Sequence, residues 1–213
     1  MSTTTQAELT ACQKALTDNG FRAFIAADIA EAKSLFFTQI LPVIKVASAS
    51  WGDSLTLLKT GILDELSEQN GIELIKTFEE GVDRHELLER RRQALLCDLF
   101  LTGSNAVTKD GKIINLDMIG NRTAPICFGP KQVVLFIGRN KITDDLVSAM
   151  ARVKAMAAPR NAQRHNMATP CNKTGYCHDC SSPERICNSW SIITNCYPPG
   201  RIKVILIDAD LGL

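Results

Sequence analysis

The chain has 213 residues, 45% hydrophobic and 22% charged, which is enough for one well-covered core and short for two independent ones. Its 24 lysines and arginines nearly cancel 23 aspartates and glutamates, and no long basic tract of the kind that tracks phosphate backbones is present, so nucleic acid is not expected as a partner. Met1 to Gln6 lack the basic, apolar, small-residue order of a secretory signal, and no apolar run nears the roughly 20 residues that span a bilayer; a cytoplasmic protein without membrane insertion is expected.

Residues 6–17 place Leu9, Cys12 and Leu16 at near-helical spacing and stop at Asn19-Gly20, predicting a first helix. Phe21 to Ala27 reads as a strand. Asp28 with Glu31 resembles a capping pair ahead of Ala32, Leu35, Phe36 and Ile40, one face of a second helix that Pro42 breaks. Val43 to Ala47 is predicted as a buried strand, and Leu55 to Leu66 as one helix ending near Asn70-Gly71. Ile72 to Thr77 reads as a strand, and Gly81 and Asp83 introduce a helix through Leu95 in which Glu86 and Arg90 pair at i,i+4. Leu96 to Leu101 is the next strand. Ala106-Val107 and Ile113-Ile114 flank Lys109-Asp110-Gly111 as a hairpin. A weakly helical stretch follows Gly120-Asn121-Arg122, and Val133 to Ile137 is the clearest buried strand. Thr143 is predicted to cap a helix with Leu146, Met150, Val153 and Ala157 on one face. Periodicity then disappears between Pro159 and Gly200, and Val204 to Ile207 forms the last strand.

Strands alternating with helices predict a single α/β domain over 1–213, a mostly parallel sheet with helices on both faces, and a cysteine-rich loop at 159–200 inserted before the last strand. Ligands in such sheets bind beyond the carboxyl ends of strands. That rule selects the loops after Ala47, Leu101 and Ile137.

Ser50, Gly52 and Ser54 offer hydroxyls and accessible amides at a strand-to-helix junction suited to an anion, although Ser54 also reads as a simple helix cap. Gly103, Ser104 and Asn105 follow another strand, and Asn121 and Arg122 follow the hairpin. Arg122 could grip a carboxylate or phosphate through two parallel hydrogen bonds. The plainer reading has Asn105 and Asn121 stabilising turns and Arg122 paired with a nearby acid. Gly138, in Gly138-Arg139-Asn140-Lys141, is a weaker site of the same kind. Arg90-Arg91-Arg92 reads as a solvated helix face, and Trp51 as a packing residue beside the pocket. Asp53, Asp110 and Asp117 are the carboxylates near these loops in sequence.

Eight cysteines in a reducing compartment are expected to be thiols or metal ligands rather than disulfides. Cys171, Cys177, Cys180 and Cys187 read C-x5-C-x2-C-x6-C. Four thiolates in a loop too polar to pack itself can be folded by zinc or by an iron–sulfur cluster, and the spacing does not separate the two. The alternative is a set of free or partly oxidised surface thiols. Cys196 is a possible substitute ligand, His178 an outer neighbour, and Cys12, Cys97 and Cys127 are expected to be core thiols.

Ser48-Ala49-Ser50-Trp51-Gly52-Asp53-Ser54, Thr102-Gly103-Ser104-Asn105-Ala106-Val107-Thr108, Asn121-Arg122, Phe128-Gly129-Pro130-Lys131 and Gly138-Arg139-Asn140-Lys141 resemble the lactate-utilisation (LUD) family over almost the whole chain. Ala157 to Ala162 and Cys187-Asn188 resemble its stand-alone members. The resemblance implies a fold similar to ribose-5-phosphate isomerase and the CoA transferases, and an association with lactate oxidation beside an iron–sulfur oxidoreductase subunit. The leading expectation is an accessory component of 2-hydroxy acid oxidation that binds a small anionic ligand. The alternatives are an enzyme acting on a sugar phosphate or acyl-CoA, and a non-catalytic docking protein for an iron–sulfur subunit.

Overall fold

The computed structural model describes residues 5–213, so the reading of Met1 to Thr4 lies outside the described residues. Helix α1, Gln6–Asp18, begins in a capping box in which Thr5 and Glu8 satisfy each other's backbone amides, and it buries the Leu9, Cys12 and Leu16 face. The strands of the main sheet are β1 (Arg22–Ala26), β2 (Ser48–Trp51), β3 (Glu73–Ile75), β4 (Leu99–Gly103), β7 (Gln132–Gly138) and β10 (Ile202–Ile207), in the order β1-β10-β7-β4-β2-β3. Every pair in it is parallel.

Alternation along the central strands assigns each face its own core. Val133, Leu135 and Ile137 of β7, with Val204 and Leu206 of β10, pack with the α1 residues. Val134, Phe136, Ile205 and Ile207 face the other way, onto α2 (Ile29–Leu35), α3 (Leu55–Lys59) and α4 (Ile62–Ser67) through Ala32, Leu57, Ile62 and Leu66. Each such side chain, fully buried, contributes about 1.5–3 kcal/mol, and both faces need covering because the sheet is parallel. The expected α/β architecture is therefore present.

A second, four-stranded sheet leaves the end of β4. It consists of the hairpin β5 (Ala106–Thr108) and β6 (Ile113–Asp117), flanked by β8 (Ile142–Thr143) and β9 (Ser189–Ile193) in the order β8-β5-β6-β9. The remaining helices are α5 (Arg84–Gln93), α6 (Thr123–Cys127), α7 (Leu146–Arg152), α8 (Ala158–Arg164) and α9 (Pro170–Thr174).

Several boundaries differ from the sequence reading. Val43 to Ala47 is not a strand: Val43 is 60% exposed, and the strand is the next segment, β2, whose small Ala49 sits between Leu74 and Leu99 on its two neighbours. Leu96 is likewise outside its strand, and β4 runs on through Thr102 and Gly103. The helix expected over Leu55 to Leu66 is two short ones, because Gly61 adopts a left-handed conformation with φ of 63° between them. Asp145, not Thr143, caps α7. Helical structure continues past Ala157 into α8 through a π turn at Val153–Ala157; Pro159 lacks an N–H and its ring crowds the carbonyl four residues back, which widens the turn instead of ending the helix. The 159–200 segment thus holds α8, α9 and β9, and β9 was hidden because its pairing partner, β6, lies far back in the chain.

Gly103 ends β4 at a close crossing: a Cβ there would stand 2.5 Å from Ser54 Oγ and 3.2 Å from the Phe136 carbonyl oxygen. Ser54 Oγ is held in place by accepting from Leu57 N at the start of α3. Gly103→Ala is expected to cost about 1–3 kcal/mol in urea unfolding, and Ser54→Ala in the same chain to recover part of that loss by removing the colliding oxygen. Additive losses in the double variant would refute this crossing as the cause.

Candidate functional site

The carboxyl ends of β2 and β4 and the end of β6 open into one cleft with two connected parts. The narrow inner part is lined by Asp53, Ser54, Gly103, Ser104, Asn105, Arg122, Lys141, Asn161, Arg164 and Leu213, among others. The outer part, about 270 Å³, shares Asp53, Arg122 and Asn161 and adds Asn121, Asp117, Arg91 and His165 with an apolar wall of Phe78, Met118, Ile119, Met167 and Ile186.

Asp117, at the end of β6, is buried and organises the floor. Its Oδ1 accepts from Arg122 Nε at 2.8 Å, and its Oδ2 from the backbone amides of Arg122 and Thr123, each at 2.8 Å. Arg122 also donates to the Leu116 carbonyl and to Asn105 Oδ1. Asn105 is fixed in turn, its Oδ1 accepting from Leu116 N at 2.9 Å. Arg122 is thus paired with a nearby acid, as its plainer reading has it, whereas Asn105 bonds the Leu116 amide of β6 and not its own turn; both side chains face the cleft.

Asp53 stands opposite. Its Oδ2 receives Arg164 and lies 3.2 Å from His165 Nε2, and Arg164 is aimed by Asn161 Oδ1. Burial acts to raise the Asp53 carboxyl, but the Arg164 hydrogen bond and the charges of Arg164 and His165 outweigh it and hold the carboxyl below its ordinary value. Arg91 lies over the Phe78 ring at 5.0 Å, with a buried Nε that has no hydrogen-bond partner among the described residues.

Lys141 closes the inner end. It is 5% exposed and donates to the Ser104 carbonyl at 3.0 Å and to Thr56 Oγ1 at 3.2 Å, both neutral. Burial, with Arg152 and Arg122 adding repulsion, brings its ammonium down to about 7.

Of the sequence candidates, Ser54, Gly103, Ser104, Asn105, Asn121 and Arg122 meet in the cleft. Ser50, Gly52 and Gly138 line neither part. Ser50 donates its hydroxyl to the Ile75 carbonyl across the sheet. At Gly52 a Cβ would lie 2.6 Å from Arg122 Cγ, and at Gly138 one would lie 2.7 Å from Asn140 Oδ1 and 2.8 Å from the Ala209 carbonyl, so both glycines admit neighbouring protein groups rather than a ligand. The solvated reading of the arginine run is half right: Arg90 and Arg92 pair with Glu79, Glu86 and Glu89, but Arg91 points to the cleft. Asn161, Arg164 and His165 were missed. Their i, i+3, i+4 spacing marks one helix face, a signal that the proline at 159 concealed.

A family model of the LUD domain matches residues 9–207. The chain belongs to the LUD domain family, which is associated with lactate utilisation. The LUD chain also shares its fold with a DUF162 family protein from Deinococcus radiodurans, at 15% identity and a TM-score of 0.52, covering 96% of this chain and 99% of that one. No curated protein matches it. No helix among the described residues is long and apolar enough to cross a membrane.

In this LUD protein Cys171, Cys177, Cys180 and Cys187 all line one recess, walled by Ala158, Pro159 and Ala162 of α8 and by Ile186. Cys196 is elsewhere, buried in the α1 core with Ile202 N donating to its sulfur, so it is not a substitute member. Cys12 and Cys97 are core thiols as expected, pushed up to about 12 by burial. Cys127, expected in the core, is exposed, because α6 turns it outward while Ile126 takes the buried position.

Asp117→Asn removes the countercharge from a largely buried guanidinium. It is expected to cost about 3–5 kcal/mol of stability by chemical denaturation, and a loss under about 1 kcal/mol would show that solvent already screens the pair.

Proposed function

We propose that the cleft binds a small organic anion, a carboxylate of the 2-hydroxy or 2-oxo acid class, in an accessory step of lactate oxidation that passes electrons to an iron–sulfur oxidoreductase subunit. The observation that carries this reading is Lys141. Asp117 is engaged by Arg122 and Asp53 by Arg164 and His165, whereas the Lys141 ammonium, with three donors, meets only neutral oxygens among the described residues. A buried cation so placed is costly unless an anion reaches it. Arg91 adds a second cation at the mouth of the cleft.

A second reading, an enzyme acting on an acyl-CoA or sugar phosphate, is favoured by the outer part of the cleft: about 270 Å³ with an apolar wall is more room than a three-carbon acid fills. On that reading the same inner cations hold a phosphate or thioester oxygen.

Thermal-shift and calorimetric titrations with lactate, pyruvate, phosphosugars and CoA esters separate the two. A ligand at about 100 times its dissociation constant stabilises by about 2.7 kcal/mol; the carboxylates are expected to do so, and Lys141→Met to weaken them at least tenfold. A response to CoA esters alone would replace the first reading with the second.

The pH dependence has a definite sign. The anion favours charged Lys141, so its affinity is expected to fall as pH rises above about 7, with proton uptake on binding measurable by calorimetry in buffers of different ionisation enthalpy. In the free protein the folded value lies below the unfolded one, so Lys141 makes stability increase from about 7 up to the ordinary lysine value. Pyruvate or lactate affinity that is flat across this range would remove Lys141 from the binding site.

A further inference from the structure

The recess beside α8 has a composition unlike that of the cleft. Four cysteines from the segment 171–187 line it, with Ala158, Pro159, Ala162 and Ile186 as its apolar wall and Thr169, His178 and Arg185 as its polar members. The segment has little core of its own. Its short helix α9 buries no residue, and its course is held by polar contacts such as Ala168 N to Glu184 and Ser182 to the Ala168 carbonyl. Four partly buried sulfurs turned towards one dry recess are a poor arrangement for free thiols and a natural one for a soft metal.

Two observations bear on which metal. A single zinc ion holds four sulfurs at about 2.3 Å each and so draws them into mutual contact. Among the described residues no three metal-binding side chains converge around one ion position, yet all four cysteines ring one space. The four sulfurs are therefore not drawn together as a single zinc ion would draw them. The second observation is Arg185, which also lines the recess. Its guanidinium ties the segment together by donating to the Cys180 and Cys187 carbonyls, while its Nε is a buried donor without a hydrogen-bond partner among the described residues. Orphaned buried donors cost about 1–3 kcal/mol, and a bridging sulfide is an acceptor that would satisfy it, as hydrogen bonds to sulfur do in such centres.

We propose that Cys171, Cys177, Cys180 and Cys187 ligate one iron–sulfur cluster, seated against α8 with Arg185 as its hydrogen-bond donor. The assignment is independent of the ligand proposed for the cleft, since it rests on other residues and is read by metal content.

The test uses the full chain purified anaerobically, or reconstituted with ferrous iron and sulfide. Iron and acid-labile sulfide are expected in equal amounts, with more than one iron per chain, together with sulfide-to-iron charge-transfer absorption and a paramagnetic signal after reduction. Cys180→Ser and Cys187→Ser are expected to lose most of the iron, while Cys196→Ser, a core thiol outside the recess, keeps it. Arg185→Met is expected to keep the iron but shift the cluster's reduction potential. One zinc per chain in place of iron, absence of iron and sulfide after reconstitution, or full iron retention in the Cys180→Ser, Cys187→Ser double variant would overturn the proposal.

Discussion

Asp117 is the residue through which the two sheets are tied to each other. It ends β6 in the second sheet, yet the arginine it holds reaches the first: the Gly52 position after β2 has no room for a Cβ because Arg122 Cγ passes there. The same guanidinium reaches Asn105 in the link between β4 and β5. One buried carboxylate therefore sets the spacing of three strand ends. Because its Oδ2 also takes two backbone amides, the carboxylate is satisfied on both oxygens and cannot easily turn away.

This arrangement has an electrostatic consequence for the cleft. Pairing buried charges is expensive to assemble and more expensive to leave incomplete. Both side-chain carboxylates that face the cleft, Asp53 and Asp117, are already engaged by arginines. Lys141 satisfies its geometry through oxygens of Ser104 and Thr56 but not its charge. A site built in this way selects by charge at its narrow end and by shape at its apolar mouth.

Much of the fold was legible because its strongest signals are local. The run Val133 to Ile137 and the Leu9, Cys12, Leu16 spacing each report burial within a few residues, and the loops at strand ends follow from alternation. What escaped was non-local or concealed. β2 has the sequence Ser48-Ala49-Ser50-Trp51, and small, polar residues carry no strand signal; it is a strand because β3 and β4 flank it. β9 exists because β6 is there to pair with. At the site, glycines were legible as places needing close approach, but sequence cannot say what approaches, and at Gly52 and Gly138 it is protein. Asp53 and Arg164 lie 111 residues apart, so their pairing leaves no trace in spacing.

Helix α8 gives the cleft and the cysteine recess a common wall. Asn161 and Arg164 face the cleft, Ala158, Pro159 and Ala162 face the recess, and Ile186 touches both spaces. The small residues on the recess side allow close approach, and the π turn forced by Pro159 fixes which face points where. The outer mouth of the cleft also includes Met167, which precedes the cysteine segment, and Ile186, which lies within it. The rest of the apolar wall, Phe78, Met118 and Ile119, comes from outside that segment, and the charged inner end is built on β4, β6, α8 and Lys141. The two halves of the cleft thus differ in what builds them: buried ion pairing at the inner end, and at the mouth an apolar wall that shares Ile186 with the cysteine recess.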